Sequence, residues 1–120
     1  MFMIEGNTIT LSRGDTGIVT IGVSGYTFGS NDRAIFSISG NSGQVAVRQE
    51  LPIENNLVTV EFTNDDTDDW KPGDYEWDIR YVVNPIYDGS GDSRQIIDGD
   101  EVITPNLPMK LKLLPTVGQI

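Results

Sequence analysis

The stretch that decides the fold is Trp70 to Val83, WKPGDYEWDIRYVV. It opens on a Pro-Gly turn signal and runs on as the longest period-2 segment of the chain. Tyr75, Trp77, Ile79, Tyr81 and Val83 fall on one face and Glu76, Asp78, Arg80 and Val82 on the other, because successive side chains of a strand point to opposite faces. The pattern predicts a half-buried β-strand. With the heaviest apolar side chains of the chain on one face, it is expected to be the central strand of the core.

Shorter pieces on either side repeat the alternation. Met1 to Gly6 reads as an edge strand or an ordered lead-in, and Thr8 to Ser12 as a strand that ends in the tight turn Arg13-Gly14-Asp15-Thr16. Gly17 to Val23 is a strand with Val19, Ile21 and Val23 on one face. Ser24 to Arg33 is a loop carrying Tyr26 and Phe28 as a hydrophobic plug. Ala34 to Ser39 and Gln44 to Glu50 are expected to form a hairpin about Gly40-Asn41-Ser42-Gly43. Leu51 to Asn56 reads as a connection, Leu57 to Phe62 as a strand with Val58, Val60 and Phe62 inward, and Thr63 to Asp69 as a helical turn at most. After the central strand, Asn84 to Gln95 is expected to be a flexible loop. Gln95 to Ile97 and Glu101 to Thr104 are expected to pair across Asp98-Gly99. Met109 to Leu114 closes the fold with Met109, Leu111 and Leu113 inward.

Seven or eight strands at roughly 8–12-residue spacing indicate an all-β protein, an immunoglobulin-like antiparallel β-sandwich. Residues 1–114 are expected to make one domain and 115–120 a C-terminal tail. Tyr75 stands just after a turn at the start of a long strand. That is the place of the tyrosine-corner residue, whose hydroxyl bonds to backbone a few residues upstream. Two residues on, where many immunoglobulin domains carry a Cys, the chain has Trp77.

Composition narrows the function classes. The chain has 120 residues, 38% of them apolar, with 18 acids against 8 bases and a net charge of −10. Such a surface repels a phosphate backbone and an anionic bilayer, so neither nucleic acid nor membrane is an expected partner. No apolar run is long enough to span a bilayer and no signal peptide opens the sequence, so a soluble, uncleaved chain is expected. Twelve of the acids, but only Lys71, Arg80 and Arg94 among the bases, lie between Asp65 and Glu101, which predicts one strongly negative end or face. There is no Cys for disulfides or thiolate chemistry, and no His to serve as a base near neutral pH. Lys71, Lys110 and Lys112 sit at positions expected to be exposed, which disfavours a Ser–Lys arrangement. No residue is assigned a catalytic, cofactor-binding or metal-binding role, and no cofactor is expected.

Two acidic loops have a composition suited to calcium, Asn64 to Asp69 and Asp88 to Asp92. Neither has the spacing of a twelve-residue calcium loop with its closing Glu, and capping or turn roles explain these Asp residues equally. Trp70, Tyr26 and Tyr87 are the aromatics expected in loops, where sugar rings could stack on them. Trp70 is the better candidate for packing beneath the Pro-Gly turn.

Three stretches, taken in order, resemble a known family. They are Thr10-Leu11-Ser12-Arg13-Gly14-Asp15-Thr16, the Gly-x-Tyr-x-x-Asp-Ile core of Pro72 to Arg80, and Ile97-Asp98-Gly99-Asp100-Glu101-Val102-Ile103-Thr104-Pro105. Together, from about Ile9 to Leu114, they resemble the small β-sandwich domain of tail and baseplate proteins in phages and prophages of Gram-positive bacteria. The N-terminal domain of baseplate upper proteins is the best-known example. The resemblance implies a non-enzymatic virion component, of the tail, baseplate, neck or head, or a capsid decoration protein. Such a protein would act by assembling with itself, as a homo-oligomer, and with neighbouring virion proteins through sheet edges, loops and tail. The alternative is a carbohydrate- or calcium-dependent binding module on the same fold.

Overall fold

The computed structural model of the chain describes residues 2–5, 8–22, 25–40, 45–67, 70–91, 94–104 and 109–115. The expected central strand is β7, Gly73–Val83, at eleven residues the longest of those described. It pairs along one side with β4 (Arg33–Ser39) and along the other with β11 (Met109–Leu114) at its start and β10 (Glu101–Ile103) at its end. Around it the main sheet runs β1 (Phe2–Glu5), β2 (Thr8–Ser12), β11, β7, β4, β5 (Val45–Pro52). All its pairings are antiparallel except β2 with β11, which is parallel. A second sheet holds β3 (Gly17–Gly22) and β6 (Leu57–Phe62), and a short ribbon holds β8 (Ile86–Asp88) and β9 (Gln95–Asp98).

The core lies between the main sheet and the β3–β6 pair. Along β6 the burial alternates strictly, with Val58, Val60 and Phe62 inward, as period 2 requires. Facing them are Phe36 and Ile38 of β4, Trp77, Ile79 and Tyr81 of β7, and Leu111 and Leu113 of β11. Phe36 meets Phe62 edge-on across the layers, with ring centroids 6.2 Å apart, and Trp77 lies 5.6 Å from Phe36. Each such side chain contributes on the order of 1.5–3 kcal/mol by leaving water. Trp77 thus fills core space where many immunoglobulin domains have a disulfide. Phe28 completes the plug, stacked on Tyr81 at 5.1 Å with Tyr26 behind it at 4.7 Å.

The all-β sandwich is as the sequence predicts, but its strands are more numerous and divided unevenly. Eleven strands occur among the described residues, against the seven or eight expected; four of them, β1, β8, β9 and β10, are only three or four residues long. The expected flexible loop Asn84 to Gln95 instead contains β8, which pairs with β9. The expected pairing of Gln95–Ile97 with Glu101–Thr104 does not form: β10 adds to β7 instead. The reason lies at Gly99, where a Cβ would sit 2.4 Å from Val82 Cγ1 and 2.8 Å from the Val83 carbonyl oxygen. The chain passes hard against β7 there, and the Asp100 amide donates to the Val83 carbonyl at 2.8 Å.

Leu51 to Asn56 is also more ordered than a plain connection. β5 extends to Pro52, and Glu54 and Leu57 exchange backbone hydrogen bonds of 2.9 and 2.8 Å around Asn55 and Asn56. Both Asn residues have positive φ, 53° and 61°, the geometry of a two-residue hairpin turn. The expected pairing of β4 with β5 is present, with a register shift at Ile38/Ser39. Its turn residues Asn41 to Gly43 lie outside the described residues, as do residues 116–120 of the tail.

Candidate functional site

The outward face of the main sheet carries the most organised set of polar side chains. Register builds it in rows: Arg48 lies opposite Ser37, and Ser37 opposite Asp78, while Glu50, Ile35 and Arg80 make the next row. Charge therefore alternates along β5 and along β7, and the two strands are out of phase. Asp78 and Arg80 approach to 3.9 Å (Oδ2 to Nε) with half-exposed side chains, a surface pair worth about 0–1 kcal/mol.

The β8–β9 ribbon docks over this face through a closed set of bonds. The Ile96 amide donates to the Glu50 carboxylate at 2.9 Å, the Ile96 carbonyl accepts from Arg48 at 3.0 Å, and Arg48 pairs with Glu50. Ile96 is buried as a result. Between ribbon and sheet runs a groove of about 430 Å³, with Ser37, Asp78 and Arg80 along its floor and Ile97, Asp98 and Val102 along its wall. Ile97 and Val102 are exposed.

The second sheet supplies a different kind of surface. β3 pairs only with β6, and the groups along its other edge bond to no strand among those described. Its sequence, GIVTIG, has no charge and no proline, and Ile18 stands 61% exposed. Natural sheet edges are commonly guarded by charges, proline or shortness. β5 has Arg48, Glu50 and Pro52, β6 has Glu61, and β10 is short with Glu101. β3 carries none of these devices.

Of the loop candidates, Asp66, Thr67, Asp88 and Trp70 are seen in structural contacts. Asp66 caps the single turn α1 (Asn64–Thr67): the Thr63 amide donates to its carboxylate at 2.6 Å, and its own amide donates to the Thr63 carbonyl. The fully buried Thr67 hydroxyl accepts from the Gly14 amide at 3.0 Å, so this turn anchors the Gly-Asp-Thr corner. Asp88 accepts from the Gly89 amide. Asp68, Asp69 and Asp92 lie outside the described residues. Among the described residues no three acidic side chains gather as metal ligands would. Trp70 packs on Tyr75 at 5.1 Å, and the Tyr75 hydroxyl donates to the Lys71 carbonyl at 2.7 Å. That is the upstream bond expected of a tyrosine corner.

Two residues that the sequence reading passed over hold the loops in place. Asp32, buried ahead of β4, accepts from the Gly29 amide at 2.6 Å and the Asn84 amide at 3.0 Å. Asn56 takes the Phe28 amide and gives its own to the Tyr26 carbonyl. A lone Asp or Asn in a loop carries no periodic signal, so only the contacts reveal them. No protein-family model matches this chain, and no curated protein matches it either.

Proposed function

We propose that the chain is a non-enzymatic structural component of a phage or prophage virion. In this role it works by assembling with copies of itself and with neighbouring proteins of the tail, baseplate, neck or head. The uncharged, unguarded β3 edge carries the assembly part of the proposal. On a surface of net charge −10 it is a segment where a second protein can add a strand without opposing a row of like charges. The virion part is supported by the Gly-Asp-Thr corner and by the stretches around Tyr75 and Asp98, which resemble tail and baseplate domains. Antibody labelling of particles purified from the host that carries the gene tests it. Discrete labelling at one part of the particle is expected. Particles free of the protein would overturn the virion assignment.

The groove of about 430 Å³ favours a second reading, a binding module for carbohydrate, since Asp78, Arg80 and Ser37 on its floor can bond hydroxyl groups. Thermal melts with a panel of mono- and disaccharides, and with calcium followed by EDTA, separate the two. A saturable rise in Tm supports the module, and an unchanged Tm removes it.

A further inference from the structure

We infer a second binding site in this chain, an oxyanion site in the cleft between the start of β4 and the turn from β7 into β8. The cleft is about 380 Å³, and its lining contains two arginines, Arg33 and Arg94, two amides, Asn31 and Asn84, and Tyr87 with Pro85. Among the described residues no carboxylate lines it. In a chain with 18 acids and 8 bases, two guanidinium groups facing one cleft with no acid among its described lining residues stand out.

The arrangement holds both cations open. Arg33 spends Nη1 on the Ser30 and Asp32 carbonyls, each at 2.8 Å, which fixes the plane of the group and leaves its other N–H donors for a ligand. Arg94 lies over the Tyr87 ring with its central carbon 3.9 Å from the centroid. A guanidinium stacked this way keeps the N–H groups at its rim free. The described acids nearest in sequence and space are already committed to other donors. Asp32 takes the Gly29 and Asn84 amides, Asp100 takes the Asn84 side-chain amide at 2.9 Å, and Asp88 takes the Gly89 amide. Neither Arg33 nor Arg94 is in an ion pair among the described residues.

Arginine forks match planar or tetrahedral oxygens, so the ligand is a carboxylate or phosphate oxyanion. Because the net charge repels a distant anion, binding must come from contacts inside the cleft. The site does not depend on the assembly proposal. A free oxyanion and a carboxylate brought in by a second copy present the same chemistry, and both are testable with inorganic phosphate.

Titration of the intact chain with phosphate, against chloride at matched ionic strength, is read by ¹H–¹⁵N spectra of the Arg side-chain Nε–H groups. The expected result is saturable shifts at Arg33 and Arg94 that chloride does not reproduce. Arg94→Gln, which removes only an exposed group, should weaken phosphate binding by about tenfold or more, the worth of a charge-assisted hydrogen bond, with Tm unchanged. Arg33→Lys should weaken it too, since lysine keeps the charge but not the fork. Shifts that grow linearly and equally with chloride, or full binding by Arg94→Gln, would overturn the site. Sedimentation with and without phosphate then identifies the source. Loss of an oligomer marks a carboxylate from a second copy, and an unchanged oligomeric state marks a free oxyanion.

Discussion

Tyr75 joins a local hydrogen bond to a place in the fold. Its hydroxyl holds the Lys71 carbonyl across the Pro-Gly turn while its ring covers Trp70. Tyr75→Phe keeps the ring and removes the bond, so denaturant unfolding should show a loss of about 0.5–1.5 kcal/mol. Trp77→Ala should cost far more, about 3–5 kcal/mol, because it opens a cavity beside Phe36. Tyr81 gives the fold a pH dependence. Burial pushes its phenol pKa above the ordinary 10.0. Below that value the phenol is protonated in both states and the stabilisation is complete. As pH rises past it, the unfolded chain releases a proton that the fold retains, and stability falls until the folded pKa is passed. Tyr81→Phe should therefore move the alkaline unfolding midpoint to higher pH, as followed by circular dichroism.

At the scale of elements, the strands that the sequence shows plainly are those with an uninterrupted period of two. β7, β6 and β11 each alternate over at least six residues, and burial follows that alternation except at the end of β7, where Val82 of the outer face is buried under the Gly99 segment. β8 did not show, because three residues between Pro85 and Gly89 are too few to set a period, and β9 showed as a strand but with the wrong partner. Asp98-Gly99 has the composition of a hairpin turn, yet its glycine is needed for close approach to β7. Gly99→Ala should displace this segment at a cost of about 1–3 kcal/mol, read as faster amide exchange in β9 and β10. The outward charge rows were half legible. Asp78 and Arg80 followed from alternation within one strand, while Arg48 and Glu50 join them only through strand register, which pairs residues distant in sequence. Glu50→Ala should release the Ile96 amide and expose it to exchange with little change in the core.

The whole molecule joins a guarded sheet to an unguarded one. The main sheet is capped on its outer face by the ribbon, and its β5 edge is charged. The second sheet has two strands, and β3 leaves its far edge free of described strands. Pairing of β3 between two copies about an axis at Thr20 places Val19 opposite Ile21 and continues the core from one copy to the next. It also sets the two Thr20 side chains opposite each other, so Thr20→Lys would bring like charges face to face at the junction. Thr20 is exposed, so the substitution should change monomer stability by no more than about 0.5 kcal/mol.

Sedimentation velocity of the wild-type chain and of Thr20→Lys over a wide concentration range is the most direct test. Assembly through β3 gives a concentration-dependent oligomer for the wild type, burying on the order of 1,000 Å² or more, and a folded monomer for Thr20→Lys. A wild type that stays monomeric at every concentration, or an oligomer that Thr20→Lys leaves intact, would contradict assembly through β3.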